Sequence, residues 1–334
     1  MAKRITTMDE IALRANISKT TVSRALSGSP LVNDKTREHV LAVAREHGYA
    51  VNRNAQKLRN ARSNTIAVSM DFHSHRKNHI SDPFIFELLA GVSEALGEEN
   101  LDLHLIAPNR NTLESWQEMQ ASKAVDGFIF LGQGHREDLL EQFSALGAPM
   151  VTWGAKRFKE PYCIVGSDNF LGGQTAGRYL LEKGRKNILF VGDAEFHEIY
   201  WRLEGLKNVV EAEPDTRVST MTLSKFSYES AYQSAMEFFS STAEPCDAVF
   251  AYSDTAAMAI IHVLLKMGLK VPEDVSVVGY NDIPTSAFFS PAITTIRQDV
   301  HQAGDMLVKK LVKLIDGVKT RSTSIGAELI IRDT

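Results

Sequence analysis

The stretch TTMDEIALRANISKTTVSRALSG, residues 6–28, decides the fold of the first part of the chain. Thr7 is followed three residues later by Glu10, which is the spacing of a capping box and predicts the start of a helix. Asn16 can end this helix, and Ser18 can cap a second one. Two short helices joined by about three residues predict a helix-turn-helix.

The second of these helices has two chemically different faces. The apolar positions of the two helices are predicted to pack against a third helix that begins at Asn33 or Asp34; they are Ile11 and Ala15 on the first helix and Val22 and Leu26 on the second. The outward face carries hydrogen-bonding side chains, namely Lys19, Thr20, Ser23 and Arg24. Such a face suits the major groove of DNA. An ordinary three-helix bundle with a solvated basic face fits the same pattern, so the residues alone leave both open.

Charge is distributed unevenly along the 334 residues, whose net charge is -4. The first 62 residues carry 12 Lys/Arg and 5 Asp/Glu, a net of +7, and the rest carries -11. This asymmetry predicts a small module that binds an anionic partner, joined to a larger acidic body. A DNA backbone or an acidic protein surface would satisfy it.

A basic segment follows the third helix, YAVNRNAQKLRNARSNTIAV, residues 49–68. Its helix-capable part runs roughly from residue 52 to 60, and a helix of under about 12 residues is marginal in water. It would therefore fold against a partner or on a ligand. Leu58, its one large apolar residue, could act as a wedge between base steps in the minor groove. A flexible basic linker is the alternative.

Beyond residue 64, short apolar runs alternate with helical patterns, which predicts parallel α/β sheets. The pattern divides into two similar halves near 163–166, and two halves with a cleft between them form a ligand clamp. Ligands of such sheets lie beyond the carboxyl ends of the strands. Polar and aromatic side chains occur there together, which suits a sugar. The polar ones include Asp168, Ser253 and Asn281, and the aromatic ones include Phe84 and Trp153. Each could instead be a turn or a helix cap.

Signals for catalysis, cofactors and membranes are missing from the sequence. It has no G-x-S-x-G, no H-E-x-x-H, no Walker loop and no G-x-G-x-x-G after a strand. The two cysteines, Cys163 and Cys246, match no metal spacing and predict buried reduced thiols. Neither a signal peptide nor a membrane span is expected. We therefore expect a cytoplasmic protein that is not an enzyme and carries no cofactor or metal.

Taken in order, these elements resemble the LacI/GalR family of bacterial transcription regulators over essentially the whole chain. The motifs that carry the resemblance are MDEIALRANISKTTVSRALSG, NRNAQKL, GSDNFLGGQTAGRYLLEKGRKNILFVG, RLEGL, VPEDVSVVGYND and PAITTIRQD. The resemblance implies an all-α helix-turn-helix headpiece plus an α/β periplasmic-binding-protein-like body of two doubly wound parallel-sheet subdomains. It also implies a homodimer on a pseudo-palindromic operator.

The resemblance assigns DNA-contacting roles by position. Lys19, Thr20 and Arg24 would read base edges. Phosphate contacts would come from Thr7, Ser18, Thr21, Ser23 and Asn33. Leu58 matches the leucine that family members insert into the minor groove, and the neighbouring hinge positions are Asn52, Ala55 and Gln56.

It assigns effector-binding roles in the same way. Arg202 of RLEGL matches the arginine that grips the ligand, and Asn281 stands where the family usually has aspartate. Asp168, Phe226 and Ser253 fall on further effector-lining positions. Phe196 and Glu198 differ from the polar pattern of purine-responsive relatives, and with Trp153 and Trp201 they favour a sugar or glycoside. A purine-type effector, or a solute-binding protein with a protein-interacting head, is the alternative.

The expected domain boundaries follow from the same comparison. The headpiece is expected at 1–50 and the hinge at 51–63. The N-terminal effector subdomain is expected at 64–165 and 294–324, and the C-terminal one at 166–293 and 325–334.

Overall fold

The computed structural model describes residues 7–26, 29–49, 62–70, 83–134, 136–156, 160–223, 225–241 and 246–334. The chain divides into two compact units, Met1–Ser63 and Asn64–Thr334. The hinge residues Asn52, Ala55, Gln56 and Leu58 lie outside the described residues, so their predicted roles remain predictions.

The first unit contains the three expected helices, α1 (Met8–Ala15), α2 (Lys19–Leu26) and α3 (Asp34–Glu46). The capping box is present, because Thr7 Oγ1 accepts from Glu10 N and the Glu10 carboxylate accepts from Thr7 N. Ser18 Oγ accepts from the backbone N–H of Thr21 at 3.1 Å, and Asn33 Oδ1 from that of Thr36 at 2.8 Å. These caps confirm the predicted helix starts.

A small apolar core holds the three helices together. Ile11, Val22 and Val40 are fully buried, one on each helix. They are joined by Ala15, Ala25, Val32 and Ala44, with Leu26 partly buried beside them. The predicted core is therefore confirmed, except that Ala25 is buried more deeply than Leu26 because it faces the helix interface more directly.

The second unit alternates strands and helices through its length. In chain order they are β1 (Thr65–Met70), α4 (Pro83–Glu98), β2 (Asp102–Leu105), α5 (Leu113–Ala121), β3 (Gly127–Leu131), α6 (Glu137–Ala145), β4 (Met150–Trp153), β5 (Cys163–Ser167), α7 (Asn169–Glu182), β6 (Asn187–Val191), α8 (His197–Val210), β7 (Arg217–Met221), α9 (Tyr228–Ser241), β8 (Ala248–Ala251), α10 (Asp254–Lys266), β9 (Ser276–Asn281), β10 (Thr294–Gln298), α11 (Val300–Ile315), β11 (Thr323–Ile325) and β12 (Ala327–Ile330). Short 3-10 helices span Pro108–Arg110 and Pro284–Ala287.

The strands form two six-stranded sheets. The first has the order β11-β5-β4-β3-β1-β2 and is parallel, and the second has the order β12-β10-β9-β8-β6-β7, with β12 alone running antiparallel. Buried apolar side chains cover both sheets, as expected for parallel strands packed under helices. The chain passes between the sheets three times, after β5, after β10 and after β11. These crossings bring the carboxyl ends of both sheets to one cleft.

One predicted boundary differs from the structure. Residues 294–298 were assigned to the first subdomain, but β10 pairs in parallel with β9 of the second sheet, with Thr294 opposite Val278. The crossing occurs after this strand, and α11 then packs on α4 of the first subdomain. A short strand such as TTIRQ has no local feature that selects one parallel sheet over another, so only its neighbours decide.

Helices α4 and α11 cross through two glycines. A Cβ added to Gly304 would lie 2.3 Å from the carbonyl carbon of Gly91, and one added to Gly91 would lie 2.3 Å from Val300 O. Both distances are far below van der Waals contact, so the helices can approach this closely only without side chains at these positions.

We therefore expect Gly304→Ala to lower the free energy of unfolding of the second unit by about 1–3 kcal/mol, because the backbones must move apart. Gly97→Ala is the matched control on α4, since a Cβ there meets nothing within 4 Å. It should raise stability by about 0.4–1 kcal/mol. Urea unfolding followed by circular dichroism measures both. A Gly304→Ala protein as stable as the Gly97→Ala protein would contradict the packing.

No helix within the described ranges has the length and apolarity needed to cross a lipid bilayer.

Candidate functional site

A cavity of about 140 Å³ lies in the cleft between the two sheets. The first subdomain contributes the start of α4 and the ends of β3 and β4. The second contributes the start of α8 and the ends of β8, β9 and β10. The lining residues are Phe84, Ile85, Leu131, Gly132, Gln133, Gly134, Trp153, Phe196, Glu198, Ile199, Arg202, Phe226, Tyr252, Asn281 and Gln298. This is the strand-end location predicted for the ligand.

Arg202 is the central polar group of this cavity. Its side chain is buried, and its Nε donates to Asn169 Oδ1 at 2.8 Å while Nη1 donates to the carbonyl of Tyr252 at 2.6 Å. The guanidinium carbon lies 3.6 Å from the centroid of the Tyr280 ring, a close cation–π contact. Three protein partners therefore hold the guanidinium in one position at the cavity wall.

Aromatic rings form the two opposite walls. From the first subdomain, Phe84 and Trp153 lie with their centroids 6.1 Å apart. From the second, Phe226 contacts Phe196 at 4.7 Å and Tyr252 at 5.0 Å. Such walls suit the C–H faces of a sugar ring or the plane of a heterocycle.

Amide side chains provide further hydrogen-bonding groups. Gln298 Nε2 donates to Asn281 Oδ1 at 2.7 Å, which links the ends of β9 and β10. Gln133 is buried, and its Nε2 donates to Tyr162 Oη at 3.2 Å. Its Oε1 has no partner among the described residues. This acceptor is covered by the protein and packs against Gly154, so it is a buried group without a hydrogen bond to any described residue.

Acidic groups line a second cavity that shares Gly134, Phe196 and Glu198 with the first, and we call this second cavity the mouth. Glu198 lines the cavity one helical turn before Arg202, and burial raises the pKa of its carboxyl group. An adjoining cavity of about 250 Å³ is lined by Gly134, Glu137, Asp138, Glu195, Phe196, His197 and Glu198. Across it, His197 Nε2 of α8 lies 3.0 Å from Glu137 Oε1 of α6, so this pair joins the two subdomains.

Five of the eight predicted effector residues line the cavity together: Phe84, Trp153, Arg202, Phe226 and Asn281. Asp168 and Trp201 lie elsewhere, in a separate cavity of about 430 Å³. Asp168 Oδ1 caps α7 by accepting from Leu171 N at 2.9 Å, and Trp201 points to another side of α8 than its neighbour Arg202. Ser253 is fully buried as the cap of α10, accepting from Ala256 N at 3.3 Å.

Sequence reasoning did not include three polar lining residues, Gln133, Tyr252 and Gln298. Each lies at or just beyond the carboxyl end of a strand, which was the signal used for the other candidates. It also did not assign Glu198 to the site, although it noted the residue. The strand-end position is thus a signal in the sequence that these three residues share with the other candidates.

A buried carboxyl group supports the loop that follows Asn281. Asp254 is fully buried; its Oδ2 accepts from Ile283 N at 2.9 Å and its Oδ1 from Thr295 Oγ1 at 2.5 Å. Burial raises its pKa from 3.8 to about 7, although these two donors oppose the shift. Asn281 itself has φ of 107°, so its position depends on this support.

We expect the stability of the second unit to fall as the pH rises from about 4 to about 7. The folded protein keeps the proton on Asp254 up to about pH 7, whereas the unfolded chain loses it near 3.8. The stabilising contribution of Asp254 is thus complete at low pH. Between the two pKa values the folded protein binds about one proton more than the unfolded chain, so the free energy of unfolding falls by up to about 1.4 kcal/mol per pH unit. Asp254→Asn should remove this slope and exposed Asp274→Asn should keep it, in thermal melts between pH 4 and 8. Equal slopes in both would contradict the assignment.

The outward face of α2 is exposed as predicted. Lys19, Thr20 and Arg24 are exposed and Ser23 is half-buried. Lys19 Nζ lies 2.8 Å from Asp9 Oδ2, a pair exposed on both sides and easily exchanged for another anion. The predicted phosphate contacts Thr7, Ser18, Thr21 and Asn33 lie at the helix starts, where Thr7, Ser18 and Asn33 are the caps and Thr21 N donates to Ser18 Oγ.

Comparison with known proteins identifies this combination of head and clamp. Residues 7–52 match the bacterial regulatory proteins of the lacI family, and residues 178–334 match the periplasmic binding protein-like domain. The HTH-type transcriptional regulator CelR of Thermobifida fusca is 30% identical over 341 residues, which cover 99% of this chain and 99% of CelR. The chain belongs to the LacI family of bacterial regulatory proteins. The probable HTH-type transcriptional repressor ExuR of Bacillus subtilis is 27% identical over 333 residues, 98% of each protein.

Solved structures of LacI-family proteins are similar to this chain over nearly its whole length. The CelR–cellobiose complex has a TM-score of 0.70 and 29% identity, covering 98% of this chain and 99% of that one. The lac repressor dimer bound to operator has a TM-score of 0.82 over 99% of both chains; at 22% identity it shows the fold alone. The expected fold class is confirmed, and these LacI-family relatives are transcriptional regulators rather than enzymes.

Proposed function

We propose that this protein is a transcriptional repressor whose affinity for its operator is controlled by a sugar bound in the cleft. The observation that carries the proposal is the cavity at the strand ends of a LacI-family body, where Arg202 and several amides lie between two aromatic walls. The ligand is bound and released chemically unchanged. CelR, a relative over the whole chain, has been solved with cellobiose, which supports a sugar.

The head supplies the operator contacts. Lys19, Thr20 and Arg24 lie on the exposed face of α2 and read base edges in the major groove. Thr7, Ser18, Thr21, Ser23 and Asn33 contact phosphates. Residues 51–63 form the hinge, in which Asn52, Ala55 and Gln56 lie near the minor groove and Leu58 enters it.

Two copies of the chain act together on the operator. A homodimer places two heads on the halves of a pseudo-palindrome, as the lac repressor dimer does on its operator. Closure of the cleft on the sugar shifts the two subdomains and so changes whether the hinges can pair. This coupling is reciprocal, so a sugar that weakens operator binding must bind the operator-bound protein less well.

A two-part experiment tests the function. Selection from random duplexes yields the operator, and a gel-shift titration with a sugar panel and guanine then identifies the effector. Release of the operator by a sugar supports the proposal. Release by guanine alone, or no sequence-selective binding, would overturn it.

Arg24→Ala is expected to lower affinity for the operator by roughly 5- to 150-fold, the value of about 1–3 kcal/mol for one good base contact. Binding to random DNA should fall much less. Arg14→Ala removes the same charge from the exposed side of α1 and should weaken both kinds of binding to a similar, small extent. Fluorescence anisotropy at two salt concentrations separates the two effects. Equal behaviour of both variants would refute base reading by Arg24.

A further inference from the structure

We propose that the cleft selects against negative charge, so that the effector is an uncharged sugar and not a uronate or a sugar phosphate. This rests on the proposed function, because it concerns the charge of the ligand in the same cavity. It follows from the contacts of Arg202, the one Lys or Arg among the described lining residues, and from the carboxyl groups that line the adjoining cavity.

The positive charge of Arg202 is already engaged by the protein. Nε carries a single hydrogen, and that hydrogen goes to Asn169 Oδ1. Nη1 donates to the Tyr252 carbonyl, and the guanidinium lies over the Tyr280 ring. A carboxylate or phosphate gripped side-on needs Nε and a terminal nitrogen together. The side-on grip is therefore blocked, and only the remaining hydrogens of Nη1 and Nη2 are left for a ligand.

Carboxyl groups dominate the approach to the cavity. Glu198 lines the ligand cavity itself, and Glu137, Asp138 and Glu195 line the adjoining mouth. The two cavities share Gly134, Phe196 and Glu198, so a ligand in the cleft lies beside the mouth. His197 is the one basic side chain among the residues described as lining the mouth, and its Nε2 lies 3.0 Å from Glu137 Oε1.

An anionic ligand would therefore meet the carboxyl groups of the described lining residues in a partly desolvated cleft, where like charges repel strongly. It would also disturb Glu198, because burial already raises the pKa of that carboxyl group and a second anion would raise it further. A neutral sugar meets neither cost. Its hydroxyls can accept from Arg202, while its C–H faces contact the aromatic walls.

Calorimetric titration of the full-length protein tests the proposal. The panel contains glucose, galactose and mannose, each with its uronate and its 6-phosphate, together with cellobiose. For the sugar that binds most tightly, the neutral form should bind at least about tenfold more tightly than its uronate or its 6-phosphate. A uronate or phosphate that binds as tightly as its neutral parent overturns the charge selection and leaves the sugar effector standing. If no sugar in the panel binds, both the charge selection and the sugar effector are overturned. The DNA-binding part of the proposed function is tested separately, by operator binding.

Charge variants test the origin of the selection. Asp138→Asn with Glu195→Gln removes two charges from the mouth, and the ratio of neutral to anionic affinity should fall severalfold. Glu141→Gln with Glu213→Gln is the matched control, since both are exposed and line neither cavity. The control should keep the wild-type ratio. An unchanged ratio in the mouth variant, or an equal change in the control, would contradict an origin in the mouth carboxyl groups.

Discussion

Arg202→Lys is expected to abolish the response to the sugar while operator binding persists. Lysine keeps the charge but cannot donate to Asn169 Oδ1 and the Tyr252 carbonyl at once, and it loses the planar stacking on Tyr280. Losing the hydrogen bonds and stacking that position this buried cation costs about 2–5 kcal/mol, or roughly 30- to several-thousand-fold in effector affinity. The effector concentration that releases half of the operator measures this.

Arg185→Lys is the matched control for this substitution. Arg185 is also tied by several bonds, since Nε donates to Ser276 Oγ at 3.1 Å and Nη2 to the carbonyls of Pro272 and Glu273. It lines neither of the two cleft cavities, so its replacement should reduce thermal stability without changing effector affinity. A normal response in Arg202→Lys would refute the central role of this guanidinium.

Val22→Asp is expected to remove operator binding completely. Val22 is fully buried in a head core made of a few small side chains, and a buried unpaired carboxylate costs several kcal/mol. A unit of this size has little more stability than that to lose, so α2 would no longer be held in place. Gel shift with the operator measures the loss.

The division of the chain into two compact units makes this prediction specific. Effector affinity and the melting of the second unit should stay at wild-type values in Val22→Asp. Leu13→Asp introduces the same charge on α1 at a position that is 82% exposed, and it should retain the folded head with a modest loss of DNA affinity. A folded, operator-binding Val22→Asp protein would contradict the described core.

The sequence by itself was sufficient for features that depend on neighbours a few residues apart. Capping by Thr7, Ser18 and Asn33 involves partners three residues away, so each helix start was predictable and is confirmed. The same holds for the buried and exposed faces of α2, because helical periodicity is local. The alternation of strands and helices likewise predicted two parallel sheets with a cleft at their strand ends.

Only the tertiary structure decided which strand ends meet. Strand order is not chain order, so β10 joined β9 against expectation, and Gln298 was thereby placed against Asn281. Helix direction placed Arg202 in the cavity and its neighbour Trp201 outside it. The acidic mouth combines Glu137 and Glu198, which belong to different subdomains and are about sixty residues apart in the chain. Charges and amides acquire a role from contacts across such distances, and no local pattern in the sequence records those contacts.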